Sequence, residues 1–281
     1  MKILITGGRG MLGRTLQQHF HAHEIFVADL PELDITSPVA VNQALGSFKP
    51  ELVIHCAAMT NVDGCESAPE SAYKVNALGT AVVAAATARV GARLIAISTD
   101  YVFDGMADRP YTEFDPTGPT TVYGASKLAG EAAVRAHCPD HTIIRIAWLY
   151  GNTGPSFLHT MLKLGSQEGA PLKVVNDQIG NPTSTDAVAE LIERLIVNPV
   201  PGLVHGSCEG DATWFEFARE IFKIYGLKRE LLPCLTEEFP RPAARPANSR
   251  LDKQVLRMAG MESMPHWRDA LTHFCVATVN V

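Results

Sequence analysis

Three observations predict an α/β fold built on a doubly wound, Rossmann-type parallel sheet. Short apolar runs alternate with helical patterns over residues 2–100, the first run ends in a glycine-rich turn, and the runs are apolar almost throughout. Near-continuous apolar strands belong to a parallel sheet covered by helices on both faces. Candidate strands are Lys2–Ile5, Ile25–Ala28, Leu52–His55 and Arg93–Ser98. Between them Gly13–His23, Pro38–Phe48 and Glu70–Val90 carry apolar residues at helical spacing. Further strands are expected at Thr142–Ile146 and Leu172–Val175, and a helix at Val122–His137.

After about residue 150 glycine and proline become frequent and the elements shorten. Helical patterns persist at Phe157–Gln167, Thr185–Val197 and Trp214–Tyr225, whereas Pro240, Pro242 and Pro246 exclude a continuous helix around them. The expected division is a nucleotide-binding domain over 1–150 and a smaller lobe over 151–281. Segments near 170–197 are expected to pack back on the first domain.

Composition narrows the function. At 46% hydrophobic and 19% charged, the 281 residues can form a substantial core. A net charge of -6 offers no basic footprint for nucleic acid, although Lys127, Arg145 and Arg245 could form a local anion site. Met1 leads directly into a strand rather than a secretory signal, and no uncharged apolar stretch approaches the roughly eighteen residues of a membrane span. Cys56, Cys65, Cys138, Cys208, Cys234 and Cys275 show no C-x-x-C spacing, so reduced thiols are expected rather than a disulfide frame or a metal site. A soluble cytoplasmic protein is the expectation.

Two motifs carry the chemistry. Gly7, Gly8, Gly10 and Gly13 satisfy both G-x-G-x-x-G and G-x-x-G-x-x-G after the first strand. Such glycines allow a tight turn and close approach of a pyrophosphate to a helix N-terminus. Asp29, ending the second strand, suits an adenosine ribose and favours NAD, while Arg9 and Arg14 suit the 2′-phosphate of NADP. Downstream, Tyr123 and Lys127 stand four apart and share a helix face. A nearby ammonium lowers a tyrosine's pKa and makes it a usable acid. Thr99 follows the fourth strand, where the catalytic groups of open α/β sheets gather, although Ser98, Thr99 or Asp100 could instead cap a helix. Together these motifs specify a nicotinamide-dependent site.

The run Ser98-Thr99-Asp100-Tyr101-Val102-Phe103-Asp104-Gly105, with Tyr123–Lys127 and Thr6–Gly13, resembles the extended short-chain dehydrogenase/reductases. Within them it is most similar to the dTDP-4-dehydrorhamnose reductase family. Further matching pieces are Val62-Asp63 with Glu66, Arg145 with Trp148-Leu149-Tyr150-Gly151, Asp177–Gly180 with Pro182-Thr183, and Arg245-Pro246 with Asn248-Ser249 and Leu251. The resemblance implies hydride transfer from NADPH or NADH to the C4 keto group of a dTDP-6-deoxy-4-hexulose, feeding polysaccharide synthesis such as O-antigen. It implies cofactor contacts at Gly7, Gly10, Met11, Leu12, Gly13, Asp29, Asp34, Ile35, Ala58, Met59, Thr60, Tyr123 and Lys127. It implies sugar-nucleotide contacts at Thr99, Asp100, Tyr123, Trp148 and Arg245, with Arg245 alternatively in a structural salt bridge. Tyr123 is the expected acid, Lys127 its modulator, and Thr99 a donor to the reacting oxygen. By analogy alone the group admits a homodimer and a Mg²⁺ ion at a dimer contact, but no carboxylate cluster here supports the metal.

Departures from the family pattern are Ile146-Ala147 for a usual Thr-Ser pair, Ser156 for an asparagine, and Met59 for a bulky polar or aromatic residue. Tyr101 stands where sugar-nucleotide dehydratases need a glutamate, which argues against dehydration. Epimerases share the tyrosine and lysine and are less firmly excluded. A non-catalytic regulatory subunit, of which the methionine adenosyltransferase β subunit is an example, is opposed by the intact Thr99–Tyr123–Lys127 set. Trp148 is expected to wall the deoxy-sugar; the competing expectation is a core tryptophan at the lobe junction.

Overall fold

The structure is a computed structural model, and it describes residues 1–279. Its first part alternates β1 (Lys2–Thr6), α1 (Met11–His19), β2 (Glu24–Ala28), α2 (Pro38–Phe48), β3 (Leu52–His55), α3 (Val62–Ser67), α4 (Pro69–Tyr73), α5 (Thr80–Arg89), β4 (Arg93–Thr99), α6 (Val122–His137) and β5 (His141–Ile146). The second part is more fragmented. It comprises β6 (Leu149–Tyr150), α7 (Phe157–Gly165), β7 (Leu172–Val175), β8 (Ile179–Gly180), β9 (Thr183–Ser184), α8 (Thr185–Val197) and β10 (Gly202–His205). There follow β11 (Ala212–Thr213), α9 (Trp214–Tyr225), β12 (Leu231–Cys234), β13 (Asn248–Ser249), α10 (Gln254–Met258) and α11 (Trp267–Val279). Among the described residues no helix is long and apolar enough to cross a membrane.

Six parallel strands form one sheet in the order β10-β5-β4-β3-β1-β2. The chain leaves β1 for β2 on one side and returns to β3 on the other, so the winding reverses between β1 and β3. Ligands of open α/β sheets bind in the crevice outside the strand ends at such a reversal. Alternation along each strand supplies both faces with apolar side chains. Ile3, Ile5, Leu52 and Ile54 join Leu12 and Leu16 of α1 and Leu191 and Ile192 of α8 in one core. Leu4 and Val53 join Val41 and Leu45 of α2, Val83 of α5 and Val134 of α6 in the other.

The boundary expected near residue 150 is crossed by the chain. Helix α8 lies against α1, and β10 is an edge strand of the large sheet beside β5. Leu172–Val175 pairs with β12, and its Val174 lies in the same core as Ile3 and Ile5. The core under α1 and α8 also continues outward to Phe217, Trp267 and Phe274, joining the small sheets to the large one. Glu70–Val90 is not one regular helix, because Lys74–Gly79 forms a π-helical turn between α4 and α5. Such turns occur frequently at functional sites, and here it carries the buried Asn76.

Candidate active site

A cleft of about 620 Å³ opens at the carboxyl ends of the strands, beside the β1/β3 reversal. On one side lies the glycine turn. Gly7 has φ +65°, and a Cβ there would come within 2.6 Å of the Ala57 amide nitrogen. A Cβ on Gly13 would run into the Gly7 carbonyl, so the turn and the helix pack with no room for a side chain. Gly10 is the N-cap of α1 and supplies no side-chain cap, leaving first-turn amides free to meet an anion.

Gly7, Gly10, Met11, Leu12, Gly13, Asp29, Asp34, Ile35, Ala58 and Thr60 all line this cleft. The carboxylate of Asp29 accepts hydrogen bonds from the amides of Arg9 and Leu30, each at 2.8 Å. Arg9 reaches Glu32 at 2.6 Å, and Arg14 donates to the Arg9 carbonyl. Asp34 accepts from Thr36, which lowers its pKa.

Met59 is not among the lining residues; its backbone is gripped from behind. Its amide donates to Asn76 Oδ1 at 2.8 Å, and its carbonyl accepts from Asn76 Nδ2 at 3.1 Å. Asn76 Nδ2 also donates to Ser126 of α6 at 3.0 Å, coupling the Ala58–Thr60 loop to the Tyr123 helix. The sequence does not single out Asn76, a polar residue within an otherwise helical run. The only hint is that burying its amide requires partners.

On the other side stand Thr99, Asp100, Tyr101, Tyr123, Lys127, Trp148 and Trp214. Thr121 caps α6 by accepting from the Gly124 amide at 3.0 Å, and Glu66 accepts from Val122, fixing the turn that carries Tyr123. The Tyr123 ring meets Tyr101 edge-on at 5.5 Å. Thr99 Oγ1 donates to Asp100 Oδ1 at 3.0 Å. Asp100 Oδ2 is buried without a partner among the described residues, and burial raises this carboxyl to about 6.

The expected lowering of the Tyr123 pKa is not seen. Burial pushes the phenol well above its ordinary value, opposed by a hydrogen bond with Thr99. Lys127 instead donates from Nζ to the Ile97 carbonyl at 2.8 Å, and its own pKa is lowered by burial to about 8. Cys56 lines the cleft, but burial pushes its thiol up to about 12, so it is a poor nucleophile.

Trp148 is partly exposed, lines the cleft and packs against the buried cluster of Val102, Phe103, Tyr111, Ala147 and Leu251. Its backbone has φ 47°, a conformation that costs energy outside glycine. Its ring stacks on Trp214 at 3.5 Å with the planes 7° apart. Trp214 opens α9 and donates from Nε1 to Gln178 at 3.0 Å. Its role in the cleft is hidden in the sequence, because an aromatic on an amphipathic helix reads as core.

Of the two readings open for Arg245, the structure forms the salt bridge. Arg245 does not line the cleft; it pairs with Asp63 at 3.0 Å and donates to the Ala243 carbonyl. Arg145 is sealed under the sheet end, 2.7 Å from Glu131, so it cannot join Lys127 and Arg245 in an anion site. Among the described residues no group of three His, Cys, Asp or Glu is gathered to hold a metal.

The parallel sheet, the glycine turn and the Tyr123/Lys127 helix face opening into one cleft define an extended short-chain dehydrogenase/reductase. More narrowly, the chain belongs to the RmlD family, since the model described as RmlD substrate binding domain matches residues 1–279. A dTDP-4-dehydrorhamnose reductase of Clostridium acetobutylicum superposes with a TM-score of 0.96 at 44% identity, covering 100% of both chains. The dTDP-4-dehydrorhamnose reductase of Bacillus anthracis in complex with NADP gives 0.95 at 41% identity, over 98% of this chain and 99% of that one. The spore coat polysaccharide biosynthesis protein SpsK of Bacillus subtilis is 39% identical over 97% of this chain and 96% of its own length.

Proposed function

We propose that this chain is a dTDP-4-dehydrorhamnose reductase, a cytoplasmic enzyme that reduces the C4 keto group of dTDP-6-deoxy-L-lyxo-4-hexulose to give dTDP-L-rhamnose. The observation that carries the proposal is the meeting of Thr99, Tyr123 and Lys127 in the same cleft as the glycine turn. Full-length similarity to two reductases of that name supports the substrate.

The uncapped α1 N-terminus and the side-chain-free glycine turn fit a pyrophosphate, and Ala58 and Thr60 continue the same wall. When bound, the reduced nicotinamide supplies the hydride. Tyr123, kept protonated near neutrality by burial, gives its phenolic proton to the C4 oxygen as charge develops there. Thr99 is the second donor to that oxygen, its hydroxyl turning from Asp100. Lys127 holds its positive charge on the same helix face, which stabilises the phenolate left after transfer. The phenolate then recovers a proton from solvent.

NADPH is the proposed cofactor, in keeping with the NADP complex of the Bacillus anthracis relative. Arg9, beside Asp29 and held by Glu32, is the residue proposed to meet the 2′-phosphate. Glu32→Gln should therefore tighten NADPH relative to NADH. Equal dissociation constants for both cofactors in both proteins would remove Arg9 from that role.

A related substrate is the second reading, favoured by the relative named for spore coat polysaccharide and by the departures at Met59, Ile146-Ala147 and Ser156. NADPH oxidation measured against a panel of 4-keto deoxy-sugar nucleotides separates the two. Highest kcat/KM on dTDP-6-deoxy-L-lyxo-4-hexulose supports the first. Activity confined to another keto sugar supports the second, and activity on none despite cofactor binding supports a non-catalytic role.

A further inference from the structure

Helix α6 presents Tyr123, Lys127 and Glu131 at four-residue spacing, and therefore along one stripe. The first two belong to the proposed chemistry; the third lies below it, 3% exposed. Glu131 Oε1 accepts from Ser98 Oγ at 2.7 Å and from Arg145 Nε at 2.8 Å. Its Oε2 accepts from Arg145 Nη2 at 2.7 Å and from Arg135 Nη2 at 3.0 Å. Ser98 immediately precedes Thr99 on β4, and Arg145 lies on β5, its guanidinium over the Phe103 ring at 5.0 Å. One turn closer to Tyr123, Lys127 makes a second tie from the same helix to the same strand, at the Ile97 carbonyl.

Resting on the reductase reading above, we infer that Glu131 is a positioning residue. Its carboxylate, clamped to Ser98 and Arg145, sets the height of the Tyr123/Lys127 face over Thr99. Stability alone does not account for such a pair. A buried ion pair can often be replaced by apolar residues at no loss, whereas removing one partner strands the other charge. What the fork of Arg145 on a carboxylate does supply is a fixed geometry. Here that geometry joins the strand bearing the proposed oxygen donor to the helix bearing the proposed acid.

The clamp also has an electrostatic face. Lys127 is met by Glu131 from its own helix, by His55 from β3 and by Cys56 just beyond it, with Tyr123 one turn away. Burial holds His55 near about 3 and Cys56 near about 12, so both are neutral at pH 7, as is Tyr123. Among these, Glu131 alone carries charge near neutrality, and it opposes the loss of the Lys127 proton. Arg145 and Arg135 sit on Glu131 itself and tie up its carboxylate.

The test compares Glu131→Leu/Arg145→Met, Glu131→Asp and Glu131→Gln with the unaltered enzyme. It reads melting temperature, NADPH dissociation constant, kcat, KM for the keto-sugar nucleotide, and the Lys127 side-chain ¹³C titration by NMR. The apolar pair should keep the melting temperature and NADPH binding while kcat falls by about tenfold or more and KM changes little. Glu131→Asp should retain the Lys127 titration of the unaltered enzyme with kcat still reduced. Glu131→Gln should move that titration to lower pH. Unchanged kcat in the folded apolar pair, together with an unmoved Lys127 titration in Glu131→Gln, would overturn the inference. If the unaltered enzyme reduces no keto-sugar nucleotide, the reductase reading fails on its own; the NMR titration then still decides whether Glu131 governs Lys127.

Discussion

The two sides of the cleft are built by opposite means. The cofactor side comes from three short stretches at residues 7–13, 28–35 and 56–60 that lie at the ends of three adjacent strands. The sugar side is made of side chains brought from four distant places: the end of β4, the first turns of α6, Trp148 two residues beyond β5, and the start of α9. The turn at 7–13 has no room for a side chain at Gly7 or Gly13 and so is written locally as glycine. A wall of rings and hydroxyls can be gathered from anywhere the fold allows. The first side should therefore fail all at once, the second by degrees.

The largest effect is expected of Gly13→Val. Its side chain would meet the Gly7 carbonyl, leaving nowhere for the turn to move. We expect loss of saturable NADPH binding by fluorescence titration, and unimpaired binding would show that the turn does not form the site. Next in size is Tyr123→Phe, which removes the proton and keeps the ring against Tyr101. Turnover should fall by about 10²-fold or more with NADPH affinity retained, whereas near-normal turnover would take Tyr123 out of the mechanism.

Smaller effects are expected on the sugar side. Trp148→Ala leaves Trp214 as the remaining half of the stack. It should lower kcat/KM by roughly tenfold with little change in melting temperature. A loss of about 3–5 kcal/mol with normal kinetics would mark a core residue instead.

Acid should weaken the fold as a whole. His55, between Thr6 and Thr80 beneath the cofactor side, is held by burial near about 3, and so is His205 at the end of β10. Both are neutral in the native protein, while the unfolded chain takes up protons below about 6.5. As pH falls from there toward the folded values, each histidine should cost about 1.4 kcal/mol of stability per pH unit. Denaturant midpoints across pH should therefore flatten by about one proton in His55→Asn. An identical slope in that variant would mean that His55 is charged in the fold.

The same contrast explains which parts of the molecule the sequence discloses. The large sheet and its helices are legible because apolar residues repeat at two and at 3.6 along contiguous segments. Tyr123 and Lys127 are legible because four residues on a helix is a local distance. The salt bridge open to Arg245 is legible but its partner is not, since Asp63 lies on α3 far earlier in the chain. Trp214 and Asn76 are hidden for a related reason. Each looks like an ordinary helical residue until the stack with Trp148, or the grip on Met59, is seen. Nor does the apolar run at Leu172–Val175 reveal its partner, because pairing with Leu231–Cys234 leaves no mark on either strand alone.

The two sides of the cleft meet, on this reading, at one carbonyl. The most direct measurement is NADPH consumption by the unaltered enzyme with dTDP-6-deoxy-L-lyxo-4-hexulose, with the product identified by NMR and Tyr123→Phe run in parallel. One dTDP-L-rhamnose should form per NADPH oxidised, with a loss of about 10²-fold or more in the variant. Saturable NADPH binding with no oxidation on adding the keto sugar would contradict this reading.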